Sequence, residues 1–238
     1  MGYCIVPDIH GRGFWKPLIE KVDDYDKIVF LGDYLDPYVG YDHITKGEAL
    51  YNFIEILDFK RKNNDKVGLV LGNHDLHYLP GISEDWGCRR DDERYKTIQT
   101  LFLENIDMFK MCYIIQTKDY GKVLLSHAGI NNGWYKKEFN GDKAEFVAEV
   151  MNESVSNFSQ LKHYAWQIGY SRGGDDKYGS IVWSDLYDHN EESTGKANEK
   201  LGVVYQIFGH TYGFPSTEEI FECKSYSMID NKQLFFIE

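Results

Sequence analysis

Five short apolar runs in this 238-residue chain are each followed, at once or after one residue, by an Asp, Asn or His. Tyr3–Val6 leads through Pro7 to Asp8-Ile9-His10-Gly11, and Lys27–Leu31 leads to Gly32-Asp33-Tyr34-Leu35-Asp36. Val67–Leu71 leads to Gly72-Asn73-His74-Asp75. Lys122–Leu125 leads through Ser126 to His127-Ala128-Gly129, and Val203–Phe208 leads to Gly209-His210-Thr211. The runs have the length and β-branched content of buried strands. Strands of this kind set side by side would bring their carboxyl ends to one edge, which is where open α/β sheets bind ligands.

Between the runs lie helical patterns. Leu50, Phe53, Ile54 and Leu57 share one face, Ile98, Leu101, Phe102 and Ile106 a second, and Val147, Met151, Val155 and Phe158 a third. Strands alternating with helices through the first half imply parallel pairing there. The last third reads as strands at Glu219–Glu222, Tyr226–Ile229 and Leu234–Ile237, with Asp230-Asn231 as a tight hairpin turn between the last two. The expected architecture is α/β: two sheets packed face to face, with helices outside, in a single domain over residues 1–238. Residues 80–94 and 188–200 are polar and read as surface loops.

The residues after the runs suit a metal centre. Imidazole and carboxylate donors converging from different elements are what a divalent ion needs. Asp8 and His10 are two apart, so on extended chain they point the same way. The carboxylate of Asp33 has two oxygens and can bridge two ions, and two ions a short distance apart form a clamp for in-line attack on phosphorus. Taken singly, Asp-x-His is uninformative, Gly-Asn-His-Asp is compatible with a turn, and His127 with a core histidine. The order of all five, each behind an apolar run, is what carries the reading. His43, His77, His163 and His189 lack this context, and surface or helix-packing roles are expected for them.

Charge and cysteines narrow the partners. The net charge of −12, from 26 basic and 38 acidic side chains, disfavours nucleic acid backbone and anionic membranes. Cys4, Cys88, Cys112 and Cys223 form no C-x-x-C pair, and read as reduced thiols of a cytoplasmic protein. The N-terminus carries no pattern of a signal peptide, and no apolar stretch approaches the roughly 20 residues of a membrane span.

In order and spacing the motifs Asp8-x-His10, Gly32-Asp33-x-x-Asp36, Gly72-Asn73-His74-Asp75, His127 and Gly209-His210 resemble those of the calcineurin-like metallophosphoesterases. The stretches DIHG, GDYLD, LSHAG, IVWSDL and SMIDN are similar to the phosphoprotein phosphatase branch and its bacterial relatives, which include Ser/Thr phosphatases and diadenosine tetraphosphate hydrolases. The resemblance implies a four-layer α/β/β/α sandwich. It implies two divalent metal ions, one on Asp8, His10 and Asp33, the other on Asp33, Asn73, His127 and His210. Manganese is favoured, with Fe, Zn, Co or Ni compatible with the same donors. His74 would protonate the leaving group as general acid, and by the resemblance Asp36 would accept a hydrogen bond from its other ring nitrogen. Asn73 would also touch substrate.

Two departures bear on the substrate. The branch has an Arg directly after the second Asp of G-D-x-x-D, where this chain has Pro37, and its later clamp Arg has no counterpart in 188–200. Arg172, in a glycine-rich stretch, is the candidate replacement as a bidentate phosphate ligand, with Arg12 and Arg89 behind it. The first functional expectation is a phosphomonoesterase acting on phosphorylated protein or peptide. The alternatives are a dinucleoside polyphosphate or other small phosphoester hydrolase and, from another class, a binding scaffold without activity.

Overall fold

The computed structural model describes residues 1–82, 89–211 and 220–238. In chain order the strands are β1 (Gly2–Val6), β2 (Tyr25–Phe30), β3 (Val67–Val70), β4 (Phe109–Lys110), β5 (Cys112–Thr117), β6 (Gly121–Ser126), β7 (Tyr205–Phe208), β8 (Phe221–Glu222), β9 (Tyr226–Met228) and β10 (Phe235–Ile237). The helices are α1 (Val39–Asp42), α2 (Lys46–Lys62), α3 (Asn73–Leu76), α4 (Tyr95–Glu104), α5 (Asn132–Glu138), α6 (Ala144–Ser154), α7 (Phe158–Ala165) and α8 (Glu191–Leu201).

The strands make two mixed sheets, ordered β10-β1-β2-β3-β4 and β5-β6-β7-β9-β8. β1 through β4 run parallel, with β10 antiparallel at the edge. In the second sheet β6, β7 and β9 are parallel, and β5 and β8 flank them antiparallel. Alternation along each strand divides its side chains between two cores. Ile5, Val29, Leu31 and Val70 of the first sheet meet Ile115, Val123, Leu125, Tyr205 and Ile207 of the second. Cys4, Val6, Ile28, Phe30 and Leu69 belong to the other core, with the helical residues Phe53, Ile56, Leu57 and Phe102. Both strand faces are covered, which is why the five runs read as continuous apolar stretches. The result is the expected α/β/β/α sandwich.

The helix patterns hold with shifted faces. In α2 the buried apolar residues are Ala49, Phe53, Ile56, Leu57 and Phe59, while Leu50 and Ile54 are only half-buried. A capping box between Thr45 and Glu48 fixes its start. Ile98 and Phe102 are the buried positions of α4, and Val147 and Met151 are among those of α6. Phe158 opens the next helix instead of extending α6.

Two expectations are corrected. Residues 188–200 are not a loop: α8 covers most of them, started by Asn190, whose side chain accepts from the Ser193 amide. Its buried side is Thr194, Ala197, Asn198 and Leu201, and the Asn198 amide donates to the Ser225 carbonyl while accepting from Gln206 Nε2. The helix packs through hydrogen bonds that a hydropathy pattern does not register. Nor do β9 and β10 form a hairpin. β9 pairs with β7 and β8, β10 pairs with β1 across the sandwich, and Asp230-Asn231 carries the chain from one sheet to the other. Glu219 of the expected strand Glu219–Glu222, residues 83–88 of the expected 80–94 loop, and Cys88 lie outside the described residues.

His189, an expected packing residue, is buried and ties α8 to the turn after β6. Its Nε2–H donates to the Ala128 carbonyl at 2.9 Å and its Nδ1 accepts from the Thr194 hydroxyl at 3.0 Å. Burial pushes this imidazole from its ordinary 6.5 down to about 4. Between those values the unfolded chain binds the proton and the folded chain does not. Stability from this group is therefore complete above pH 6.5 and is lost as pH falls towards 4, by about 3 kcal/mol in all. Urea unfolding at pH 7 and pH 4.5 should show this loss in the wild type. The slope should be shallower in His189→Gln, and equal slopes would count against it.

Candidate active site

The carboxyl ends of β1, β2 and β3 and of β6 and β7 meet at one edge, and residues that follow β1, β2, β3 and β7 line a cavity of about 220 Å³, with His127 after β6 buried behind them. Its walls include His10, Asp33, Asn73, His74 and His210 from the motifs, together with Tyr38, His77, Arg89, Arg172 and Trp183.

Backbone geometry concentrates strain here. His10, Asp33, Asp36 and His210 have φ of 43°, 52°, 58° and 70°, in the left-handed region that costs a residue with a Cβ about 1–3 kcal/mol. The neighbouring glycines permit close approach. A Cβ on Gly72 would lie 2.2 Å from Asp33 Oδ1, and one on Gly209 would lie 2.1 Å from Asp8 Oδ1.

Asp33 is the hub. Its Oδ2 lies 3.4 Å from His10 Nε2, and its Oδ1 lies 3.6 Å from His127 Nε2. Each oxygen thus faces a different group of donors: His10, Asp33 and His74 on one side, and Asp33, His127 and His210 on the other, with donor atoms in each group within 4.8 Å of one another. Around the second group, His127 Nε2 is 2.9 Å from Asn73 Oδ1 and 3.1 Å from His210 Nδ1. The hydrogen-bond network assigns the tautomers: His10 Nδ1–H donates to the Leu35 carbonyl at 3.0 Å and His127 Nδ1–H to the Leu31 carbonyl at 2.9 Å. Both Nε2 atoms are left as lone pairs pointing at other acceptors, an arrangement that a cation relieves. The His210 Nε2 is buried without a hydrogen-bond partner.

Electrostatics agree with metal ligation. Burial holds His10, His127 and His210 below their ordinary pKa, in the neutral form that gives a lone pair to a metal. Burial also raises Asp33, with the Asp36 charge adding to it, and pushes Asp8 up to about 6 against the pull of His127. Such crowded carboxylates fit divalent ions. Asp8 is buried beside the site, but both of its oxygens accept from the His210 amide, at 3.1 and 3.2 Å, so it stands outside the two tight groups.

His74 and Asp36 form the pair that the family resemblance implies, with Nδ1 2.9 Å from Oδ2. The Tyr78 hydroxyl donates to the other oxygen of Asp36 at 2.6 Å, a partner four residues past His74 that the sequence reading missed. Burial opposes charge on His74, but Asp33 and Asp36 prevail and raise its pKa. Asp75 is structural: it accepts from the amides of Asp33, Tyr34 and Gly72 at 2.8, 3.0 and 2.8 Å, locking the turns after β2 and β3 together. Asp75→Ala leaves three buried donors unpaired. It is expected to cost about 3–5 kcal/mol in urea unfolding of the metal-free protein, and a cost below 1 kcal/mol would refute this role.

The arginines sort differently from expectation. Arg12 is turned away, bound to Asp42 at 2.8 Å, and does not line the cavity. Arg172 does line it, but its Nε pairs with Asp185 at 2.6 Å and its Nη2 donates to Thr211 at 2.8 Å. Arg89 lies over the Tyr38 ring at 3.5 Å and donates from Nε to the Asp36 carbonyl at 3.0 Å, while its buried Nη2 has no partner. His77, expected to serve at a surface or in helix packing, is a fully buried part of the cavity wall. Its neighbour Trp183 belongs to the IVWSDL stretch, the only sequence signal for this wall.

A family model described as calcineurin-like phosphoesterase matches residues 1–214. Among curated proteins, the chain is similar to symmetrical bis(5'-nucleosyl)-tetraphosphatases. It is 27% identical over 138 residues to that of Buchnera aphidicola subsp. Acyrthosiphon pisum (strain Tuc7), covering 56% of this chain and 46% of the relative. It is 25% identical over 142 residues to that of Enterobacter sp. (strain 638), covering 56% and 45%. The match thus spans under half the length of these relatives. Among solved structures, a cold-active protein-tyrosine phosphatase of a psychrophilic Shewanella sp. superposes with a TM-score of 0.64 at 16% identity, covering 100% of this chain and 75% of that one. A protein serine/threonine phosphatase from Saccharomyces cerevisiae superposes with a TM-score of 0.54 at 11% identity, covering 98% and 66%. At such identities the likeness is one of fold. Among the described residues no helix is long and apolar enough to cross a membrane.

Proposed function

This chain belongs to the calcineurin-like phosphoesterase family, and from that premise we propose that it hydrolyses phosphate esters at a dinuclear metal centre. The observation that carries the reading is Asp33, whose two oxygens face two separate donor groups in one cavity. His10, Asp33 and Asp8 would hold one ion, and Asp33, Asn73, His127 and His210 the other. Bound there, the ions supply an activated water and neutralise charge on the phosphoryl oxygens. Manganese is the metal we would assay first.

The chain's own groups do the rest. His74 delivers a proton to the departing oxygen, and Asp36, held by Tyr78, keeps the imidazole turned towards the ester. Arg89, with its free Nη2, and Arg172 bind the phosphoryl group, in place of the Arg that Pro37 displaces. Asn73 holds metal and substrate together.

Of the substrate classes, small phosphoesters of the dinucleoside polyphosphate kind are favoured. The cavity is small, and it adjoins a second one of about 310 Å³ that shares Tyr38, Arg172 and His210 with it. The exposed Tyr187 on that second wall offers a ring on which a base can stack. The names of the curated relatives point the same way. A phosphoserine or phosphothreonine phosphatase is the second reading, supported by the GDYLD, LSHAG and IVWSDL stretches.

The test is hydrolysis of p-nitrophenyl phosphate after chelation and on re-addition of Mn²⁺, followed by a screen of dinucleoside polyphosphates against phosphopeptides. Metal-dependent turnover is the expected result. Bound metal without turnover on any of these substrates would leave the scaffold alternative.

A further inference from the structure

The cavity wall between the proposed general acid and the His210 ligand is built from His77 and Trp183. The His77 ring lies 6.0 Å from His74 and 6.4 Å from Trp183, and Trp183 lies 6.0 Å from His210. His77 is fully buried and Trp183 is 6% exposed. Neither ring nitrogen of His77 has a hydrogen-bond partner, and neither does the indole N–H of Trp183. The His77 edge instead meets Trp166, at 5.1 Å.

A buried polar group without a partner is destabilising, and most native side chains avoid that state. Two such groups in contact, both lining the catalytic cavity, place two N–H donors where nothing in the fold accepts them. Indole is a donor only, and neutral imidazole offers one N–H. Burial pushes His77 from 6.5 down to about 4, so the ring is neutral at physiological pH. His77 lies beside His74, the side from which the leaving group departs in the proposed reaction, and Trp183 continues the same wall towards His210.

We infer that His77 and Trp183 form a subsite for an anionic oxygen carried by the leaving group, such as that of a second phosphoryl next to the scissile ester. The inference rests on the phosphoesterase reading above and adds to it two positioning residues that select substrates by the leaving group. It also implies that the unpartnered pair costs the fold stability.

The experiment compares inorganic tripolyphosphate, whose leaving group carries anionic oxygens, with p-nitrophenyl phosphate, whose leaving group has no such group beside the ester. Both are assayed with Mn²⁺ in excess, using wild type, His77→Phe, Trp183→Phe and, as a control, Trp134→Phe. Trp134 also has an unpartnered buried indole N–H but does not line the cavity. The ratio of kcat/KM for tripolyphosphate to that for p-nitrophenyl phosphate should fall about 10- to 100-fold in His77→Phe and Trp183→Phe, mainly through KM. That is the span for losing a hydrogen bond to a charged oxygen. Trp134→Phe should leave the ratio where it is. The metal-free His77→Phe protein should melt no lower than wild type. An unchanged ratio, or equal losses on both substrates, would overturn the assignment, and a lowered Tm with an unchanged ratio would make His77 a packing residue. The rise in Tm caused by tripolyphosphate with Mn²⁺ gives a second readout. If wild type turns over neither substrate, the hydrolase reading fails. The subsite then stands if that rise shrinks in both variants, and falls if it does not.

Discussion

Asp33→Asn is expected to lower metal-dependent turnover by about 10³-fold or more, the loss of several kcal/mol of transition-state stabilisation, while leaving the metal-free protein folded. The reason lies in what each oxygen does. Oδ1 accepts from the His74 amide at 2.9 Å, a role that an amide oxygen can keep. Oδ2 faces His10 Nε2 at 3.4 Å, and an Asn nitrogen there can donate to that lone pair but cannot ligate a metal. Asp33 also adds to the burden on the buried carboxylates of Asp8 and Asp75. Removing its charge should therefore make the metal-free protein at least as stable as wild type. Turnover, metal content and urea unfolding measured on one preparation separate these effects. Retained activity would sink the bridging role, and a stability loss of several kcal/mol would mean that the carboxylate serves the fold first.

His74→Asn should reduce turnover on alkyl phosphates by about 10²–10⁴-fold, the usual contribution of a general acid. On p-nitrophenyl phosphate the loss should be much smaller, because that leaving group departs without a proton. His74 ligates nothing in this scheme, so metal content should not change. Asp36→Asn should give a weaker copy of the same pattern, about 10- to 100-fold, since it replaces the charged acceptor 2.9 Å from Nδ1 with a neutral amide. The diagnostic quantity is the ratio between substrates. If alkyl and aryl esters slow equally, His74 is binding phosphate or metal and is not the proton donor.

The placement of the donor residues at strand ends is legible in the sequence. Asp8, His10, Asp33, Asn73, His127 and His210 follow apolar runs, and a run long enough to be a buried strand fixes where its end emerges. The elements that escaped notice have physical reasons. β5 is an edge strand with Gln116 exposed and Tyr113 only half-buried, so no clean apolar run marks it. α8 buries Thr194 and Asn198 through polar contacts, and looked like a loop for that reason. Proximity in sequence favours a hairpin of β9 and β10, yet β1 offers β10 an open edge in the other sheet.

The sequence by itself determined the layered α/β architecture and the donors that reach its carboxyl edge. Both depend on local periodicity and on residues adjacent to strand ends. Only the tertiary structure decided which arginine keeps a free N–H in the cavity, that Tyr78 braces Asp36, and that His77 and Trp183 share a wall without partners. Those residues come from separate segments. Whether a side chain is paired or left free depends on what packing brings within 3 Å of it, and no spacing along the chain encodes that.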